Sequence, residues 1–103
     1  MWAQLIKMRV KPDKLAELPG LFDQLNAAEQ PGSGLVRTTV TQDQKDPTQL
    51  YVLVVFDSEE KAREREQDPI RAAELASAQQ MLTQVFDGPP EFVDMTVLLD
   101  VSQ

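Results

Sequence analysis

Tyr51 is the only tyrosine of the chain, and it stands inside "LYVLVVF" (50–56), a run without one charged or amide side chain. A phenol held in apolar surroundings can donate to a developing oxyanion or orient a phenolic ligand. Its ring can equally well pack an interface while its hydroxyl finds a neighbour. Asp94 is the carboxylate to set beside it: partly desolvated, it could act as a base with a raised pKa. The alternative is a cross-strand ion pair with Lys7 or Arg9. Arg37 offers a planar fork of donors for an anionic or carbonyl group, with Thr39 two residues on, unless both are solvated rim residues.

Other chemistries are closed by composition. The 103 residues contain no histidine and no cysteine, so thiolate chemistry, disulfides and a histidine-activated serine at Ser33 are excluded. "PGSG" (31–34) precedes a strand, whereas a phosphate loop needs a helix after it. "DQKD" lacks the glycine and the ligand count of a calcium loop. No metal site and no cofactor are expected. The net charge is −7, and the ten basic residues are scattered, so nothing provides the basic cluster that nucleic acid requires. No segment has the apolar length of a membrane span and the N-terminus lacks the order of a signal peptide, so the expected location is cytoplasmic.

The elements that must position these residues follow from periodicity. "AQLIKMRV" (3–10) alternates as a strand. A helical pattern from Asp13 carries Leu15, Leu18, Phe22 and Leu25, and Pro19-Gly20 inside it predicts a kink or a restart. "QPGSG" (30–34) ends it. "LVRTTVTQ" (35–42) and "LYVLVVF" read as a hairpin joined by a polar loop. Asp57 or Ser58 caps a short charged helix, with a helical ion pair available to Glu59 and Arg63. Asp68-Pro69 starts another helix, with Leu75, Ala78, Leu82, Val85 and Phe86 along one stripe. After "DGPPE" the last strand spans about 92–101.

This order predicts one α+β domain over 1–103, a ferredoxin-like βαββαβ fold. Its four-stranded antiparallel sheet has helices on one face and the first and third strands at the centre. Alternation assigns Ile6, Met8, Val10, Val36, Val40, Val52, Val54, Phe56, Val93, Met95, Val97 and Leu99 to the helical side. The other side receives Leu5, Lys7, Arg9, Leu35, Arg37, Thr39, Tyr51, Leu53, Val55, Phe92, Asp94, Thr96 and Leu98. Covering its large apolar members is worth on the order of 10 kcal/mol, at about 1.5–3 kcal/mol each. That is comparable with the roughly 4–15 kcal/mol cost of associating two subunits. The expectation is therefore a homodimer with its two sheets face to face. Leu5, Leu53, Phe92, Leu98, Arg37 and Thr39 would line a small-molecule pocket on the non-helical side.

These residues also carry a likeness. "KPDKLAEL", "PGSGLVRTTVTQDQKDPTQLYVLVVFDSEEKAREREQDP" and "QMLTQVFDGPPEFVDMTVL" resemble the antibiotic biosynthesis monooxygenase-like group of dimeric α/β-barrel proteins over nearly the whole chain. Pro31-Gly32, Asp46-Pro47, Ser58-Glu59 and Gly88-Pro89-Pro90 stand where that group has its turns and helix start. The resemblance implies a cofactor-independent monooxygenase acting on an aromatic or polycyclic molecule, with Tyr51 as donor, Asp94 as base and Arg37 as anion holder. Alternatives are a non-catalytic small-ligand or stress-response dimer, or an isomerase or cyclase using the same pocket. Val55-Phe56-Asp57 replaces the tryptophan that often ends the third strand in the group. The histidine of its haem-degrading branch is missing.

Overall fold

The computed structural model describes residues 1–76 and 78–102. Strands β1 (Trp2–Arg9), β2 (Leu35–Gln42), β3 (Gln49–Phe56) and β4 (Glu91–Thr96) form one antiparallel sheet in the order β2-β3-β1-β4. The expected ferredoxin-like architecture, with β1 and β3 central, is what the chain adopts. A 3₁₀ turn (Pro12–Glu17) leads into α1 (Leu18–Ala27), so Pro19 marks a restart. At the first positions of a helix its missing N–H costs nothing.

Helix α2 (Glu59–Glu66) is capped by Ser58, whose hydroxyl accepts from the Lys61 amide at 3.2 Å. The stripe beyond Pro69 is carried by two helices, α3 (Pro69–Ala76) and α4 (Gln79–Val85), where a single one was expected.

Two apolar clusters hold the helices to the sheet. Trp2, Val52, Val54 and Phe56 pack on Ala62 of α2, joined by half-buried Leu35. Val10 and Leu50 meet Leu18 and Leu21 of α1 and Val85 of α4. The end of α4 is bonded to β1: Lys11 N–H donates to Val85 O at 2.9 Å, and Asp87 N–H to Arg9 O at 2.8 Å. These bonds fix where the 87–90 loop begins. Between the two clusters the β1–β4 half of the helical face stays open. Gln4, Ile6 and Met8 are only half-buried there, and Phe92 is 56% exposed.

Register corrects the expected faces. Residues paired across adjacent strands share a face. Gln4 pairs with Asp94 and Ile6 with Phe92, so Phe92, Asp94 and Thr96 lie on the helical side. Val93 and Met95 lie with Leu5 and Ala3 on the other. Both parities of 92–101 contain large apolar residues, so alternation could not decide between them. A register shift between Leu35 and Arg37 likewise brings Leu35 to the helical core. β4 also ends at Thr96, which leaves Leu98 beyond the strand and 93% exposed.

The tail after β4 crosses to the opposite edge of the sheet, where Asp100 comes within 3.9 Å of Arg37 on β2. Arg37, Val55 and Ala3 form one row of the non-helical face. Val55 and Ala3 in that row are buried. The second side of "LYVLVVF" is thus partly covered by the chain's own tail.

Candidate functional site

The uncovered β1–β4 strip is the floor of a cleft on the helical side. At one end lies an apolar cavity of about 420 Å³ lined by Met8, Leu82, Thr83, Phe86, Gly88 and Pro90. Its walls follow from the fold: Met8 points up from β1, α4 presents Leu82 and Thr83, Phe86 follows as its C-cap, and the loop closes the end. Gly88 has φ +83°, a left-handed conformation that glycine takes without strain. Thr83 is the one lining residue with a polar side chain, and its hydroxyl donates to carbonyls of its own helix, 2.8 Å to Gln80 and 3.2 Å to Gln79.

At the other end, four residues or roughly 13 Å along β1, stands a polar group. Gln4 Nε2 donates to Asp94 Oδ1 at 2.9 Å and Arg63 Nη2 to Asp94 Oδ2 at 3.0 Å. Arg63 also reaches Glu59 at 3.2 Å and Glu66 at 3.4 Å, and its guanidinium stacks 5.1 Å above the Trp2 ring. The Gln4 hydrogen bond, with Arg63 adding to it against the cost of burial, holds the Asp94 carboxyl below its ordinary value. A base with a raised pKa is therefore not what this carboxylate is. The expected ion pair of Asp94 with Lys7 or Arg9 does not form either, since those side chains are on the opposite face. Arg9 instead binds Asp46 at 2.8 Å. Hydrogen bonds from Thr48 and Arg9 bring the Asp46 carboxyl down to about 2.

Of the remaining predicted residues, Tyr51, Leu5, Leu53, Thr39 and Arg37 share the non-helical face. Leu5, Leu53 and Thr39 form one row, and Lys7, Tyr51 and Thr41 the next. Tyr51 borders a shallow polar hollow of about 330 Å³ with Lys7, Arg9, Gln49, Pro89 and Glu91 among its walls. Its hydroxyl donates to Asp43 Oδ2 at 3.3 Å. The structure therefore brings Tyr51, Leu5, Leu53 and Thr39 to one side. Phe92 and Asp94 go to the other, and Leu98 to neither. Sequence reasoning missed Leu82, Thr83 and Phe86 as cavity walls. Two of them were already visible on the apolar stripe of the last helix.

The model of the antibiotic biosynthesis monooxygenase family matches residues 1–73. The chain belongs to that family. Among curated proteins no match is found. Solved structures resemble it in fold over nearly the whole chain. An antibiotic biosynthesis monooxygenase is 13% identical with a TM-score of 0.72, covering 96% of this chain and 100% of that one. A conserved protein from Methanosarcina mazei is 19% identical with a TM-score of 0.73, covering 92% and 91%. A mutant of MhuD with two manganese protoporphyrin IX molecules per active site is 19% identical with a TM-score of 0.78, covering all of both chains. This member of the family has no histidine to offer as an imidazole ligand. No cluster of three metal-binding side chains occurs among its described residues, and none of their helices is long and apolar enough to cross a membrane.

Proposed function

We propose that this member of the family binds a small aromatic or polycyclic molecule in the helical-side cleft and oxygenates it without a cofactor, working as a homodimer. The observation that carries the reading is the apolar cavity at the end of an open strip of sheet, a volume within the range of small-molecule sites. The MhuD neighbour holds planar macrocycles, which supports a cleft suited to flat ligands.

In such a reaction the electron-rich substrate enters as its enolate or phenolate, its proton already given up to water, and supplies the electrons that reduce dioxygen. A methylene becomes a carbonyl, and the second oxygen atom leaves as water. The protein's part is to exclude water, hold the ring system and orient its hydroxyl or carbonyl. Phe92, Ile6 and the cavity hold the rings. Asp94, with acceptor sites left beyond its two donors, orients a hydroxyl and is reassigned here from base to acceptor. Tyr51, Arg37, Thr39, Leu5 and Leu53 belong in this reading to the face that meets a second copy. Together with half-buried Val93 and Met95 and the exposed Leu98, Leu99 and Val101 of the tail, that face offers roughly 5–10 kcal/mol of apolar burial per chain, most of it from the tail. This is enough to meet the cost of association.

A non-catalytic ligand-binding dimer is the second reading, favoured by a cavity wall that carries no titratable side chain. Oxygen uptake with a panel of anthrone and quinol substrates separates the two. The oxygenase reading expects uptake matched one-to-one by carbonyl product. Saturable binding with no uptake leaves the binder. Absence of binding by every compound, measured calorimetrically, removes the cleft as a ligand site.

A further inference from the structure

We infer that the cleft selects ligands whose polar end is uncharged or cationic and rejects anionic ones, and that Asp94 is the residue that sets this preference. The inference rests on the cleft being the ligand site.

A flat molecule seated in the cavity and lying over Ile6 and Phe92 reaches the far end of the cleft at Gln4, Asp94 and Arg63. The cavity wall itself has no cation. Arg63 is the guanidinium at the polar end, and three carboxylates hold it: Asp94 at 3.0 Å, Glu59 at 3.2 Å and Glu66 at 3.4 Å. Its charge is therefore more than neutralised, and the group carries a net charge of −2 before any ligand arrives.

A carboxylate or phosphate placed here meets repulsion and finds three of the five guanidinium protons already committed. A hydroxyl meets an acceptor at Asp94, and an ammonium meets attraction. Asp94 decides the outcome because it is the acid that joins Arg63 to the sheet floor. Glu59 and Glu66 hold the guanidinium from within α2, four and three residues away respectively.

The test uses the full-length protein and three anthracenes substituted at position 2 with hydroxymethyl, aminomethyl or carboxylate. Binding is measured by calorimetry and by fluorescence of Trp2, the sole tryptophan, which lies under Arg63. The alcohol and the amine should bind at least about tenfold more tightly than the carboxylate, the order set by a like charge at a few ångströms in a half-exposed site. In Asp94→Asn that ratio should fall about tenfold, the carboxylate gaining affinity as the like charge is removed and the alcohol losing some, since only the amide oxygen remains to accept its hydroxyl. Retention of the Trp2 emission maximum and of the thermal midpoint shows that the variant keeps its fold. A carboxylate that binds as tightly as the alcohol, or a ratio unmoved by D94N or by Glu59→Gln, overturns the selectivity while leaving the cleft as a binding site. Failure of all three ligands to bind overturns the selectivity and the cleft together.

Discussion

Arg65 and Glu29 form the most enclosed ion pair among the described residues, and the position of α2 depends on it. Arg65 Nε and Nη2 bond both carboxylate oxygens of Glu29 at 2.7–3.0 Å, and the guanidinium lies 5.3 Å over the Phe56 ring. The pair ties the segment after α1 to the helix that carries Arg63. Burial pushes the Glu29 carboxyl up, but hydrogen bonds from Arg65 and Ser33, with the charge of Arg65, outweigh it and leave the group below its ordinary value of 4.5. A carboxylate depressed in the folded state stabilises the fold above its unfolded pKa and loses that contribution as pH falls through the folded one.

Glu29→Gln keeps one acceptor and the shape but removes the charge. Hydrogen bonds to charged groups are worth about 1.5–3 kcal/mol, so the variant should lose about 1–2 kcal/mol at pH 7. In a domain of this size that is a fall in Tm of about 5–15 °C. The gap to the parent should hold from neutral pH to the region of 4.5, then close as the medium becomes more acidic. Thermal melts followed by circular dichroism between pH 7 and 2.5 measure it. Melting curves that run parallel over the whole range, with no closing gap, would refute the assignment of stability to this charge.

Three further outcomes are expected. Leu53→Lys places a charge in the centre of the non-helical face and should convert a species of twice 11.6 kDa into a single chain in sedimentation. An unchanged mass would count against the dimer. Gly34→Ala should cost about 1–3 kcal/mol, because φ is +85° and the new Cβ would come 2.6 Å from Lys61 Cβ; denaturant titration at neutral pH tests it. Leu21→Ala, at a fully buried site between α1 and the sheet, should cost about 2–5 kcal/mol by the same measurement.

The strand order and the helix starts were legible because their signals are local. Ser58 caps α2, Pro19 restarts α1, and an apolar run without a polar face belongs at the centre of a sheet. The face of β4 was not, because a strand at the sheet edge, half uncovered, places Phe92 and Val93 in environments of similar polarity. Only pairing with Gln4 and Ile6 distinguishes them. That one-residue parity moved Asp94 away from Tyr51 and dissolved the donor and base pair that the sequence suggested. The bulge at Leu35 acted in the same way on β2. The cavity was legible in part, since the stripe of α4 named Leu82 and Phe86 but could not say that the sheet beneath them would stay uncovered.

The loop from Asp87 to Glu91 is a party wall. Gly88 and Pro90 look into the apolar cavity, while Asp87, Pro89 and Glu91 border the polar hollow beside Tyr51 on the reverse of the sheet. Two consecutive prolines stiffen it, so its residues shift as one piece rather than one by one. Whatever occupies one chamber and whatever meets the other therefore press on opposite sides of the same single stretch of backbone.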